Sequence, residues 1–520
     1  MSFRNVTTPR TTAGALAPTS FSASFSARRV LALSILLVFA LLVPAGSASS
    51  TRRGAGPGAA GIGDPYYPLA GNGGYEVGHY TLDIGYHPHT DRLNGETSIE
   101  ATATQALSRF NLDLVGLRIS SITVNDAAAT WTREHEHELV VTPAVEIANG
   151  APFTVVVRYA GVPRTFSIPG TSLRTGVVRT DDGAVIWGEP EVAAAWFPSN
   201  DHPQDKATYD IAITAPTGLK AISNGRFLGT SAGGPGRTTW SWDVTSPMAS
   251  YLAMAAIGRF HLRRTHTADD IPVLDALDPR VVPAAARSLH VEERIVRFLR
   301  SNYGPYPFDA LGGIVDHARM GAALENQTRP IYSESFFDGG PNTYVVVHEL
   351  AHQWFGDSVT VDRWQHIWLN EGFATYSEWL WNQERGRAGP RAIAAYFCTI
   401  PAGSSFWDVA PGDPGVDDLF SDAVYVRGAM TLQALREEVG PDAFFEILRT
   451  WADERRDLTG TTDQFVAVAE TLSGIQLDEL FDGWLFTTSR PASCAAARAP
   501  AAGEIRMPTF AGGRGRVPGW

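Results

Sequence analysis

His348, Glu349 and His352 fall within five consecutive residues, His348-Glu349-Leu350-Ala351-His352, and Glu371 follows in Asn370-Glu371-Gly372. The flanks Tyr344-Val345-Val346-Val347 and Gln353-Trp354-Phe355 are apolar enough for a buried helix. On a helix, residues four apart share a face, so His348 and His352 can offer two imidazoles to one cation. Glu349 then sits about 100° around the axis, beside the open side of that cation rather than on it. A catalytic zinc takes three protein ligands and leaves one position for water. Glu371 is the candidate third ligand: 18 residues separate it from His352, room for a helix end, a loop and the next helix. Two histidines and a glutamate on a helix can also be a solvated face; the apolar flanks and the spacing of Glu371 argue against that.

The same residues, with the run Trp368-Leu369-Asn370-Glu371-Gly372-Phe373-Ala374, resemble the aminopeptidase N family of zinc metallopeptidases, the gluzincins, in its compact secreted bacterial form. The resemblance implies a multidomain α+β fold: an N-terminal antiparallel β domain of saddle-like shape, a thermolysin-like α/β zinc catalytic domain and a short C-terminal helical region. It implies one Zn2+ and peptide substrates with a free N-terminus. Glu349 is then placed to take a proton from the attacking water and return it to the leaving amine. An oxyanion needs a second electrophile, and Val424-Tyr425-Val426-Arg427-Gly428-Ala429 resembles the family segment whose tyrosine fills that role, which points to Tyr425.

Ala323-Leu324-Glu325-Asn326 resembles the family's Gly-x-Met-Glu-Asn exopeptidase motif, with Ala322 in place of Gly and Leu324 in place of Met. In the family this edge strand runs antiparallel to the substrate and its Glu holds the free α-amine, which nominates Ala323, Glu325 and Asn326 as substrate-binding. Glu189-Pro190-Glu191, ahead of Trp196-Phe197-Pro198, resembles the family's amine-binding strand but is shorter; Glu191 is favoured over Glu189 as the acidic partner. Glu378 lies seven residues after Glu371, on the same helix face, where it can orient a ligating histidine from behind or simply face water.

The elements that position these residues can be read around them. Arg28-Arg29 precedes an apolar run from Val30 to Val43 and a small-residue stretch ending at Ala48, the pattern of a signal peptide on residues 1–48 and hence of a secreted or cell-envelope protein. The run is short for a membrane span, and an uncleaved anchor is the alternative. Residues 1–48 hold four Arg and no acid, so the mature balance is 38 − 55 = −17, which argues against a nucleic-acid partner. Residues 49–73, rich in Gly, Ser, Ala and Pro, read as a flexible lead-in.

From Tyr75 the pattern has period two, as in Tyr80, Leu82, Ile84 and Tyr86, and predicts a β domain over residues 74–262. Helical periodicity begins near Leu289; the catalytic domain is predicted over 263–440 and the helical region over 441–490. In residues 493–520, 15 of 28 are Ala, Gly or Pro, so 491–520 reads as a disordered tail. The two cysteines, Cys398 and Cys494, either pair in an oxidising compartment or stay separate thiols. Glu134-His135-Glu136-His137-Glu138 reads as a solvated hairpin edge rather than a metal site. Two other functions fit the metal motif: a zinc endopeptidase, and a non-catalytic binding protein that keeps the fold.

Overall fold

A computed structural model describes residues 54–167, 173–318 and 320–496. The predicted signal peptide lies outside these residues, as do positions 497–520 of the predicted tail. No helix among the described residues is long and apolar enough to cross a membrane.

The N-terminal part is built from three sheets. The largest has eight strands, in the spatial order Arg226–Ala232, Arg237–Ala249, Lys206–Pro216, Tyr75–His87, Arg92–Ala103, Pro152–Gly161, Arg118–Val124 and Ala127–Ala128. Its alternation is not a single phase. Tyr75 and Val77 are buried, then the register shifts between Val77 and His79, after which Tyr80, Leu82, Ile84 and Tyr86 face inward. One extra residue in one strand reverses which parity points to the core, because side chains alternate with period two.

A four-stranded sheet carries Gly56–Pro57, Leu107–Asp113, Glu138–Thr142 and Thr130–Glu134. A five-stranded sheet carries Thr165–Ser167, Arg174–Arg179, Ala184–Trp187, Ala255–Gly258 and Lys220–Ser223.

A second five-stranded sheet follows, ordered His261–His266, Pro272–Leu277, Ile314–Asp316, Ile331–Ser333 and Ala323–Leu324. Its inner strands pair in parallel, while Ala323–Leu324 is an antiparallel edge against Tyr332 and Ile331. Beside it lie helices α1 (Pro283–Leu289), α2 (Glu292–Tyr303), α3 (Thr343–His352) and α4 (Trp368–Glu384), then α5 (Pro390–Phe397), α6 (Gly428–Val439), α7 (Pro441–Glu454), α8 (Thr462–Ser473) and α9 (Asp478–Phe481).

Asn342 caps α3 by accepting from the backbone N–H of Tyr344 and Val345, at 3.1 and 3.4 Å. From Val345 to its end α3 is buried all round, as expected of a helix whose polar residues are reserved for a site. Helix α4 crosses the start of α6 at Gly372 and Gly428. A Cβ on Gly372 would lie 2.9 Å from the Gly428 backbone, so both positions must be bare for the helices to meet there.

Three expectations are corrected. Residues 54–73 are not a flexible lead-in. Asp64, 2% exposed, accepts from the N–H groups of Tyr66, Tyr67 and Trp364 and faces His202 Nε2 at 3.1 Å. Burial would raise its carboxyl, but these bonds hold it down at about 2. A buried anion with that many donors fastens the strap to the domains on either side of it.

The start of the predicted tail is fixed too: Cys494 forms a disulfide with Cys398. Lastly, the Glu134–Glu138 run turns a hairpin but is not wholly solvated, since Glu138 is fully buried.

Candidate metal centre

Helix α3 presents His348 and His352 on one face, and α4 brings Glu371 across to meet them. The three residues are at most 3% exposed, and their ligand atoms lie within 4.8 Å of one another. Glu371 Oε2 is 3.2 Å from His348 Nε2 and 3.5 Å from His352 Nε2. The opposite ring nitrogens are committed elsewhere. His348 Nδ1 is 2.8 Å from Glu378 Oε1, and His352 Nδ1 is 3.0 Å from the carbonyl of Phe355. Each acceptor fixes a hydrogen on Nδ1 and leaves the Nε2 lone pair pointing at the shared centre. Two imidazole lone pairs and one carboxylate oxygen converging on one point are the donor set that tetrahedral zinc takes, so the residues fit the ion.

Gly356 makes the His352 contact possible. Its φ is +134°, and a Cβ there would meet His352 Nδ1 at 3.2 Å. Glu378 is 1% exposed on the same helix as Glu371, so the solvated alternative for it does not hold.

Burial is the main influence on the acids around the centre. Burial would raise Glu371, but His352 and His348 hold it down at about 2. Burial pushes Glu349 up to about 8, against the pull of His348 and His352. Glu325, also buried, is raised, with His352 opposing and Glu371 reinforcing. Glu325, Glu349 and His352 form a second group of ligand atoms within 4.8 Å, so the two acids line one wall of the centre. Tyr425 occupies a single π-type turn, Ala423–Arg427, ahead of α6, and its ring stacks on His348 with centroids 5.9 Å apart. π-Turns recur at functional sites because they re-aim one side chain without ending a helix.

Ala323, half-buried, lies on the edge strand, with Glu325 just beyond it. Gln353 Nε2 donates to the Glu325 carbonyl at 2.9 Å, and Tyr251 Oη donates to Glu325 Oε1 at 3.4 Å. Asn326 is fully buried, and its Nδ2 donates to the Leu252 carbonyl at 2.9 Å, which ties the edge segment to the β domain.

The choice of Glu191 is also corrected. Glu189 is the one raised, after burial, by the charges of Glu325, Glu371 and Glu349, whereas Glu191 feels Asp201, His137 and Asp64. Successive residues of an extended segment point to opposite sides, so residues two apart share a side only while the chain stays regular, and Pro190 interrupts it. Tyr251, Gln353 and Asp357, the last a buried acid raised by burial and then by the charge of Glu325, were not foreseen. Gln353 directly follows the His-Glu motif, which was a usable signal. Tyr251 comes from the β domain and Asp357 from a loop, and no local pattern links them to the site.

Comparison with known proteins gives two family matches along the chain. Residues 77–252 match the peptidase M1 N-terminal domain and residues 287–484 match the peptidase family M1 domain. Endoplasmic reticulum aminopeptidase 1 of Homo sapiens is 29% identical over 402 residues, 70% of this chain and 42% of that one. Aminopeptidase M1 of Arabidopsis thaliana is 28% identical over 325 residues, 58% of this chain and 36% of that one. The chain thus spans about two fifths of the length of the curated relatives it matches. The crystal structure of an M1 zinc metallopeptidase from Deinococcus radiodurans superposes with a TM-score of 0.75 at 27% identity, covering 82% of this chain and 96% of that one. A mutant of that enzyme bound to a Tyr-Ser-Ala substrate gives a TM-score of 0.73.

Proposed function

This chain belongs to peptidase family M1, a family of zinc metallopeptidases, and from that premise we propose that it is a secreted aminopeptidase holding one zinc ion on His348, His352 and Glu371. When bound there, zinc supplies Lewis-acid chemistry, acidifying a water and polarising a carbonyl. Glu349 takes the proton of the attacking water on a carboxylate oxygen and hands it to the leaving nitrogen. The Tyr425 hydroxyl donates to the oxyanion that develops on the substrate carbonyl. Glu378 and the Phe355 carbonyl hold the two imidazoles in the orientation the centre needs.

One observation carries the exopeptidase reading. Glu325 and Glu189 put two acids against one wall of the centre, and Glu189 Oε1 is buried with no hydrogen-bond partner. A buried unpaired carboxylate oxygen is unfavourable until a cation meets it, and the α-ammonium of a peptide is such a cation. With the ammonium held there, the scissile bond is the first one. The edge strand Ala323–Leu324 offers the substrate backbone a strand to lie against. Secretion rests on the signal-like pattern of residues 1–48.

The test compares matched aminoacyl and N-acetyl-aminoacyl chromogenic amides, each with and without a zinc chelator. Acetylation removes the ammonium and leaves the acids unpaired. Losing one partner of such a pair costs about 2–5 kcal/mol, or roughly 30- to several thousand-fold in kcat/KM. Chelator-sensitive cleavage of the free-amine substrate alone is the expected result. Equal rates on both substrates would leave a zinc endopeptidase instead.

A further inference from the structure

The N-terminal β domain holds a second convergence of metal-ligating side chains. Asp113 and Glu138 are register partners on the antiparallel strands Leu107–Asp113 and Glu138–Thr142, so their side chains share a face. Asp113 is 1% exposed and Glu138 is 0% exposed. One oxygen of each is accounted for. Asp113 Oδ2 accepts from the Asp201 N–H at 2.8 Å and from Asn72 Nδ2 at 3.0 Å, and Glu138 Oε2 accepts from Asn111 Nδ2 at 2.8 Å. The other two oxygens, Asp113 Oδ1 and Glu138 Oε1, are buried without any hydrogen-bond partner, and so is Asn72 Oδ1. His137, at the mouth of the hairpin, places Nε2 3.6 Å from Glu138 Oε1 and 3.1 Å from the Leu69 carbonyl; with the ring hydrogen on Nδ1, the Nε2 lone pair and the carbonyl oxygen would both face a bound ion.

We propose that Asp113, His137 and Glu138 bind a divalent first-row cation of the zinc or manganese type, independent of the catalytic centre. Their ligand atoms lie within 4.8 Å of one another. Two carboxylates directly opposite on a ladder repel, and burial makes the repulsion stronger; a cation between the free oxygens removes both penalties at once. Two hard oxygens with one imidazole suit zinc or manganese better than calcium, which prefers an all-oxygen shell. His137 is half-buried at the surface and gives the ion an entry path. Leu69 and Asn72 belong to the strap of residues 54–73, so the ion would clamp that strap to the hairpin.

The experiment counts ions on the full-length holoenzyme by native mass spectrometry after exposure to Zn2+, Mn2+ or Ca2+ and removal of free ion. Two ions per chain are expected for the wild type with Zn2+ or Mn2+, and one for Glu138→Gln. His137→Ala, whose side chain sits at the hairpin mouth, keeps the test usable if Glu138→Gln does not fold, and it too should hold one. Adding back Zn2+ or Mn2+ to chelator-treated protein should raise Tm by about 3–8 °C more in the wild type than in His137→Ala. A single ion in the wild type overturns the proposal, as does a second ion that persists in both variants. A second site filled by Ca2+ and by neither other ion would overturn the assigned cation class.

Discussion

Glu378 reaches the metal centre only through His348, and its removal tests whether the centre depends on orientation as well as on ligand count. Its Oε1 is 2.8 Å from His348 Nδ1, and the carboxylate is 1% exposed. Glu378→Ala leaves a buried N–H without an acceptor, which costs about 1–3 kcal/mol. It also frees the ring to turn and to move its hydrogen to Nε2, which removes the lone pair aimed at the centre. Partners of this kind are worth about 10–100-fold in metal affinity. Glu378→Gln keeps a neutral acceptor at the same place, so its loss should fall at the low end of that range. The assay is zinc affinity by competition with a chromophoric chelator, alongside kcat/KM at saturating zinc. The account expects wild type, Gln and Ala in descending order of affinity, with activity partly restored by excess zinc. Equal affinities in all three proteins would refute it.

Tyr425→Phe should lower kcat far more than it raises KM, since the hydroxyl is proposed to act on charge that exists only in the transition state; steady-state kinetics showing a near-normal kcat would remove Tyr425 from the mechanism. Gly372→Ala puts a Cβ 2.9 Å from the Gly428 backbone, so α4 and α6 must separate. A Tm loss of several degrees together with reduced zinc affinity is expected, and an unchanged Tm would show that the crossing is loose.

Asp205 supplies a pH test. Burial pushes its carboxyl from 3.8 up to about 7, so the stability tied to its neutral form is present below pH 4 and is lost as pH rises to about 7. Asp205→Asn should therefore flatten the fall in Tm between pH 4.5 and 7 by an amount equivalent to a few kcal/mol at most; parallel curves for the two proteins would contradict this.

The convergence of the candidate ligands was legible because it is written in short range. His348, Glu349 and His352 sit on one helix, and Glu371 and Glu378 on one more, so helical periodicity alone orders them. The β domain was legible from alternation, even though a register shift at Val77 splits that alternation into two phases. What could not be read depends on contacts between distant segments. Glu189 and Glu191 differ only in which way the chain turns around Pro190. Asn326 is claimed by the Leu252 carbonyl, 74 residues away. The strap at 54–73 has the composition of a linker, yet one buried acid, Asp64, collects backbone donors from its own turn and from Trp364, 300 residues on. Composition reports how readily a segment bends; it is silent on which groups wait to receive it.

Glu349 carries the proposed chemistry most directly. It lies next to two ligands, is buried, and is held to act on protons without binding the ion. Glu349→Gln, purified and assayed in one preparation for zinc content and for hydrolysis of an aminoacyl amide, should retain zinc at the wild-type level and lose at least about 10²–10⁴-fold in rate. Zinc lost together with activity, or activity kept, would contradict the account.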